Sequence, residues 1–191
     1  MNTLAEIYKR QVDAGRFCDR GTVHSYIDVY ESLLARYRES ATRVLELGLF
    51  DGGGLLMLTD YFHNAVVHGI DCSDQPHGGM ADLRPLIAQG IHNIRIFDAT
   101  DASVDAEVFE NPENWFDVII EDCSHALSQQ LQLLNVWWPR VKPGGIYIIE
   151  DLANDEAIEK FSELGFEISD RRKVKNRFDD VLAIRRKPHN G

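Results

Sequence analysis

Cysteine is scarce in this chain of 191 residues, and its three cysteines, Cys18, Cys72 and Cys123, lie far apart. This spacing disfavours both a disulfide framework and a zinc site. Apolar runs are short as well, since none approaches the roughly 18 residues of a membrane-spanning helix. Charges scattered over residues 1–16 leave no apolar stretch for a secretory signal. We therefore expect a cytoplasmic protein without a membrane partner.

Positive charge is in deficit, because 20 Lys and Arg residues face 31 Asp and Glu residues and the formal net charge is −11. A nucleic-acid partner requires a basic face, so we expect none. The one basic cluster, at residues 171–175, is interpreted as a solvated strand edge. The length and a hydrophobic content of 44% fit one domain with a sizeable core.

A glycine-rich turn is the most informative feature that is present. It lies in VLELGLFDGGG, residues 44–54, and a second apolar run, VVHGID at residues 66–71, follows a helical segment. This order is typical of the first βαβ unit of a doubly wound nucleotide-binding sheet. Gly48 and Gly52–Gly54 remove Cβ atoms where the backbone turns and approaches a ligand. Asp71 ends the second strand, where a ribose diol would bind.

Strands and helices alternate along the rest of the chain, which predicts an α/β fold. Five strands joined by crossover helices should form a parallel sheet with helices on both faces, and a final hairpin should make the last strand antiparallel. We predict a helical cover at residues 1–40, a sheet domain at 41–191, a tight turn at 143–145 and later helices at 81–89, 124–138 and 154–164. The seven predicted strands are residues 44–47, 66–71, 94–98, 117–122, 146–151, 166–171 and 181–185.

Acidic residues end nearly every predicted strand of the parallel part. The carboxyl ends of such strands meet at one edge of the sheet, where ligands bind. Clustered carboxylates repel one another unless they bind a polar cofactor or a divalent cation, and we expect both. The acids are Glu46, Asp71, Asp98, Glu121, Asp122, Glu150 and Asp151.

The glycine-rich turn reads E-L-G-x-x-x-G-G-G and lacks the G-x-G-x-x-G spacing of dinucleotide-binding proteins. It resembles motif I of class I S-adenosylmethionine (SAM) methyltransferases, which have a Rossmann-like, seven-stranded sheet with an antiparallel last strand. Asp71 would accept the ribose hydroxyls, and Asp98, or its competitor Asp101, the adenine amine. The predicted cofactor-binding residues are Tyr26, Glu46, Gly48, Gly53, Asp71, Cys72, Asp98 and Asp122.

Three acids at the ends of strands four and five, Asp122, Glu150 and Asp151, form a candidate metal site, because these strands are neighbours in this topology. All-oxygen ligation suits Mg²⁺ or another hard cation. His125 lies at the predicted start of a helix, where the helix dipole and a cation favour the neutral ring of a general base. The alternatives are a capping or buried histidine and a solvated turn at residues 150–151.

Residues 119–152, IIEDCSHALSQQLQLLNVWWPRVKPGGIYIIEDL, resemble the metal-dependent sugar O-methyltransferases of macrolide biosynthesis. Their relatives include the macrocin and mycinamicin methyltransferases and the cephalosporin-hydroxylase-like group. That family carries D-x-S-H after strand four and E-D after strand five, which implies Mg²⁺ on Asp122, Glu150 and Asp151 and His125 as the general base. Residues 21–38 and 58–71 are similar as well, and 21–38 would help to cover SAM.

The predicted function is therefore SAM-dependent, metal-assisted methylation of a hydroxyl on a small molecule of the sugar or natural-product type. The alternatives are a metal-independent methyltransferase and a non-catalytic SAM-binding module. An NAD-dependent oxidoreductase is disfavoured, because no hydride-transfer site is recognisable. Trp137–Trp138 and the tyrosine-bearing stripe at residues 26–37 suggest a homo-oligomer, and the loop at 74–79 is a candidate cover for the cofactor.

Overall fold

The computed structural model of the chain describes residues 2–72, 83–88, 93–101 and 113–189. Its strands are β1 (Arg43–Leu47), β2 (Val66–Asp71), β3 (Ile94–Ile96), β4 (Phe116–Glu121), β5 (Val141–Ile149), β6 (Glu167–Asp170) and β7 (Val181–Arg186). They form one sheet in the order β3-β2-β1-β4-β5-β7-β6. Strands β1 to β5 are parallel, and β7 runs antiparallel to both of its neighbours. The predicted sheet and its antiparallel last strand are confirmed.

Helices cover both faces of the sheet. They are α1 (Leu4–Asp13), α2 (Asp19–Thr22), α3 (Ile27–Leu34), α4 (Gly53–Tyr61), α5 (Arg84–Ala88), α6 (Leu127–Trp137), α7 (Asp155–Glu163) and α8 (Arg172–Lys175). Helices α1, α3 and α4 share one core with the sheet, and α6 and α7 share the other. Within the described ranges, no helix is long and apolar enough to cross a membrane.

The alternation of side chains along the strands sorts them between the two cores. Val44 of β1 and Ile148 of β5 face α1, α3 and α4, whereas Leu45 faces α6 and α7. Glu46 and Glu150 lie two residues beyond Val44 and Ile148. They therefore point towards the N-terminal helices. The site thus depends on residues 1–40, the segment that was predicted to be a helical cover. The domain boundary at residue 40 stays a prediction.

The tight turn predicted at residues 143–145 falls within β5, which begins at Val141. The pairing of β5 with β4 shifts register between Phe116 and Val118, and Gly144 has a φ of 77°. The registers with β4 and β7 omit residues 142–145, so the segment forms an irregularity within the strand. Of the helix predicted at 81–89 the structure describes α5, and the loop at 74–79 lies outside the described residues.

The aromatic residues that suggested a homo-oligomer pack within the chain. Tyr26, Tyr30, Tyr37 and Trp137 are all at most 6% exposed, and the indole N–H of Trp137 donates to the carbonyl of Ala99 at 2.9 Å. A buried stripe offers no surface to a second copy. The oligomeric state therefore stays a prediction without this support.

Candidate active site

A cavity of about 440 Å³ opens at the carboxyl edge of the sheet, beside the turn that follows β1. Doubly wound sheets bind their ligands at this edge, and the volume lies within the range of small-molecule sites. Asp19, Phe50 and His125 are among its lining residues. Of the residues predicted to bind the cofactor, those that line the cavity are Gly48, Asp71, Cys72, Asp98 and Asp122.

Gly48 and Asp71 shape the turn at the cavity wall. Gly48 has a φ of 83°, and a Cβ there would lie 2.0 Å from the carbonyl oxygen of Asp122. Only glycine allows the ends of β1 and β4 to come so close. Oδ2 of Asp71 accepts the N–H of Leu49 at 2.8 Å, so the carboxylate that faces the cavity also holds the turn.

Asp98, and not its competitor Asp101, is among the lining residues. Its Oδ1 accepts the hydroxyl of Thr100 at 2.7 Å and the N–H of Thr100 at 2.9 Å. These hydrogen bonds lower the pKa of Asp98. An ionised acceptor therefore stands at the end of the edge strand β3.

Three residues that were predicted to bind the cofactor, Gly53, Glu46 and Tyr26, are not among the cavity-lining residues. A Cβ on Gly53 would lie 1.7 Å from the carbonyl oxygen of Phe17. Glu46 is 2% exposed and pairs with Arg20, and Tyr26 is fully buried with its hydroxyl on a carboxylate. The N-terminal segment packs against the turn, so these groups contact other residues of the protein.

Arg20 is the residue that the sequence analysis missed. Its side chain is 1% exposed, and its nitrogens lie 2.6 Å from Glu46 Oε1, 2.6 Å from Glu150 Oε1 and 3.4 Å from Asp122 Oδ2. Glu150 is 130 positions away along the chain. No local pattern marks this arginine, although it directly precedes residues 21–38, which resemble the sugar O-methyltransferases.

The buried acids carry more negative charge than Arg20 balances. Burial alone would lower the pKa of Arg20, but Glu150 and Glu46 raise it well above its usual value. Even beside this cation, burial raises the pKa of Glu46 to about 7 and that of Glu150 well above its ordinary value. Excess buried charge of this kind is relieved by a further cation or by protons.

Asp151 completes the acid cluster from the end of β5. It has a left-handed φ of 57° and is 3% exposed. Its Oδ1 accepts the hydroxyl of Tyr26 at 2.6 Å, and its Oδ2 lies 3.2 Å from Nε2 of His24. Burial and the neighbouring charge of Asp122 raise the pKa of Asp151 to about 7.

Asp122, His125 and Asp151 bring three potential ligand atoms within 4.8 Å of one another. Glu150, the third predicted metal ligand, is placed differently, because its Oε1 accepts hydrogen bonds from Arg20 at 2.6 Å and Tyr30 at 2.5 Å. Its Oε2 has no hydrogen-bond donor among the residues that the structure describes. Two of the three predicted ligands, Asp122 and Asp151, therefore lie together with His125. Glu150 could bind a cation only through Oε2.

His125 lies outside the helix in which it was predicted. Helix α6 begins at Leu127 after the N-cap Ala126, and His125 has a left-handed φ of 59°. Its Nε2 lies 3.2 Å from Asp122 Oδ1 and 3.7 Å from Asp151 Oδ2.

The neutral ring was expected beside a bound cation, and it stays a prediction for that state. Burial alone would lower the pKa of His125, but the hydrogen bond and charge of Asp122, with the charge of Asp151, raise it to about 9. The ring therefore carries a proton at neutral pH while it faces both carboxylates alone.

Known proteins are similar to this chain in sequence and in fold. Over residues 45–152 the chain matches a family described as a methyltransferase domain. It is 33% identical over 156 residues to the 8-demethyl-8-(2-methoxy-alpha-L-rhamnosyl)-tetracenomycin-C 3'-O-methyltransferase of Streptomyces olivaceus. This alignment covers 75% of this chain and 37% of that protein. It is 30% identical over 142 residues to the mycinamicin VI 2''-O-methyltransferase of Micromonospora griseorubida, at 69% of this chain and 32% of that one.

Among solved structures, the MycE methyltransferase from the mycinamycin biosynthetic pathway, in complex with Mg and SAH, has the same fold. It superimposes with a TM-score of 0.71 at 19% sequence identity, over 98% of this chain and 55% of that one. The chain spans about a third of the length of the two sequence relatives. The family match runs from β1 past the acids that follow β5 and includes more than half of the chain. The chain belongs to the methyltransferase-domain family.

Proposed function

We propose that this chain acts as a SAM-dependent, Mg²⁺-assisted O-methyltransferase whose acceptor is a hydroxyl of a sugar-bearing small molecule. The observation that carries the proposal is the position of Asp122, which lines the cavity and also belongs to the group with His125 and Asp151. One carboxylate thus joins a cofactor-sized cavity to a candidate cation site. The names of the two relatives, which specify 2''- and 3'-O-methylation, support transfer to a hydroxyl.

The cavity offers SAM two acceptors at the ends of neighbouring strands. Asp71, after β2, would accept the ribose hydroxyls, and Asp98, after β3, the adenine amine. Asp122 and Asp19 add negative charge along the same wall, which favours the positive sulfonium group. The structural relative MycE, solved with SAH, supports this use of the cavity.

The donor groups fit a hard divalent cation. Asp122 and Asp151 would hold it, and Glu150 would add Oε2, the oxygen that lacks a donor among the described residues. Carboxylate oxygens are the ligands that Mg²⁺ prefers, and the raised pKa of His125 is a sign of unbalanced negative charge at this point. When bound, Mg²⁺ would lower the pKa of an acceptor hydroxyl.

His125 would take the proton of that hydroxyl at Nε2. Asp122 and Asp151 orient this atom from 3.2 and 3.7 Å, and at 36% exposure the side chain can meet an acceptor. Asp122 and Asp151 favour the protonated ring of His125. A bound cation would offset their negative charge, and the ring could then lose its proton and act as a base. The chain then aligns hydroxyl, methyl group and sulfur, which supplies much of the rate.

The proposal is tested by measuring SAH production from SAM with a rhamnosylated polyketide, its unglycosylated aglycone and a catechol. We expect product with the glycoside in Mg²⁺, none in EDTA, and recovery when excess Mg²⁺ is returned. Full turnover in EDTA would establish the metal-independent alternative. SAM binding without turnover on any acceptor would favour a non-catalytic module.

The Asp71→Ala substitution tests the cofactor site separately. It removes a charged acceptor from the ribose and the anchor of the Leu49 N–H, so we expect SAM binding to weaken by about 1.5–3 kcal/mol. Isothermal titration calorimetry with SAM measures this change. Asp60→Ala, which removes an acid on α4 that is not among the cavity-lining residues, is the matched control. Equal affinities in the two variants would remove Asp71 from the site.

A further inference from the structure

The acids of the cluster share one pattern: the N-terminal segment holds one oxygen of each. Glu150 Oε1 accepts the Tyr30 hydroxyl at 2.5 Å. Asp151 Oδ1 accepts the Tyr26 hydroxyl at 2.6 Å. Asp122 Oδ2 lies 3.4 Å from Nη2 of Arg20. All three contacts come from residues 20–30, which precede the matched family domain.

The second oxygens have other contacts, and for Asp151 one of these also comes from the N-terminal segment. Asp122 Oδ1 lies 3.2 Å from Nε2 of His125, and Asp151 Oδ2 lies 3.2 Å from His24 and 3.7 Å from His125. The hydrogen bonds that described residues donate to the side chain of Glu150 both end on Oε1. Each of the three carboxylates is thus held at one oxygen, and Asp122 and Asp151 place the other within 4 Å of His125.

A carboxylate that rotates freely has many orientations that do not suit a ligand atom. A hydrogen bond to one oxygen restricts this rotation and fixes where the other oxygen points. Such bonds behind metal-ligating groups are known to contribute to metal affinity. The contacts from residues 20–30 have the geometry of this second set of bonds.

We infer that Tyr26 and Tyr30 are positioning residues, whose hydroxyls orient Asp151 and Glu150 for a divalent cation. The inference rests on the proposed metal dependence, and it gives Tyr26 a role other than its predicted contact with SAM.

Burial alone does not explain these two hydroxyls. Both rings are fully buried, and phenylalanine would fill the same space. Tyr147 is also fully buried, yet its hydroxyl has no hydrogen-bond partner within the described residues. The core of this protein therefore accepts a tyrosine without a bond to an acid, so burial does not by itself require the two bonds at the acid cluster.

The test compares Mg²⁺ binding by calorimetry in the full chain and in the variants Tyr30→Phe and Tyr26→Phe. Each change removes one oxygen atom and leaves the ring. We expect Mg²⁺ affinity to fall about 10- to 100-fold in each variant, with SAM affinity within about twofold of wild type. Tyr61→Phe is the matched control, since its hydroxyl bonds Glu31 at 3.3 Å, away from the cluster. It should bind Mg²⁺ like wild type.

Thermal unfolding in EDTA separates positioning from a structural role. Variants that melt earlier but bind Mg²⁺ as tightly as wild type would overturn the inference and leave the proposed function in place. A wild-type protein that binds no Mg²⁺ would overturn the metal dependence and the positioning role with it. If Tyr61→Phe also bound Mg²⁺ more weakly than wild type, the loss of any tyrosine hydroxyl would have this effect. That result would also overturn the positioning role of Tyr26 and Tyr30.

Discussion

Replacing His125 with alanine should lower turnover by about 10²–10⁴-fold, the usual contribution of a general base. His125 lines the cavity, and its Nε2 lies within 4 Å of carboxylate oxygens of both Asp122 and Asp151. SAM affinity should stay nearly unchanged, because Asp71 and Asp98 remain in place. Steady-state kinetics with the glycoside acceptor and calorimetry with SAM measure the two effects.

His125→Asn is the finer control for this experiment. Residue 125 has a left-handed φ, which asparagine tolerates better than alanine does, so this variant removes the base with less backbone strain. It should lose turnover like the alanine variant. If the asparagine variant kept most of its activity, His125 would have a structural role at the start of α6, as the alternative interpretation holds.

Replacing Arg20 with methionine should destabilise the protein by about 3–5 kcal/mol, because it leaves buried carboxylates without their cation. Glu46 and Glu150 are both 2% exposed, and each has an oxygen 2.6 Å from the guanidinium. Methionine is about as long as the aliphatic part of arginine, so it keeps the apolar part of the contact and removes the charge. Urea denaturation in EDTA, which prevents a metal ion from replacing the lost charge, measures the change.

Arg10→Met is the matched control, since Arg10 pairs with Asp60 at the surface with side-chain exposures of 56% and 38%. Exposed pairs contribute about 0–1 kcal/mol. Adding Glu46→Gln to Arg20→Met should recover part of the loss, because it removes one of the unbalanced charges. A stability of Arg20→Met equal to that of Arg10→Met would show that Arg20 does not hold the acids.

Much of the fold was predictable because local patterns and tertiary structure agree. Apolar runs that end in acids mark β1, β2 and β4 to within a residue at either end. The start of α6 was not predictable, because the left-handed conformation of His125 accompanies contacts with Asp122 and Asp151, and the latter lies on a different strand end. Similarly, the extension of β5 back to Val141 depends on the pairing of Val141 with Phe116 of β4, beyond the Pro-Gly-Gly segment.

The acids of the site were predictable, but their partners were not. Strand order and side-chain alternation suffice to place Glu46, Asp122 and Glu150 at one edge. The cation that links them comes from a four-residue helix, α2, whose position depends on packing over the whole N-terminal segment. The contact of Tyr26 with Asp151 was not predictable for the same reason, because it joins residues 125 positions apart.

Gly54 and Arg20 make two distant positions depend on each other. A Cβ on residue 54 would lie 2.0 Å from Nη1 of Arg20 and 2.4 Å from Oε1 of Glu46. A larger residue at 54 would therefore need both a different side chain at 20 and a shift of the Glu46 carboxylate. In homologous sequences the two positions should covary, with arginine at 20 found beside glycine at 54. Chimeras that exchange the first forty residues between homologues would have to exchange position 54 with them.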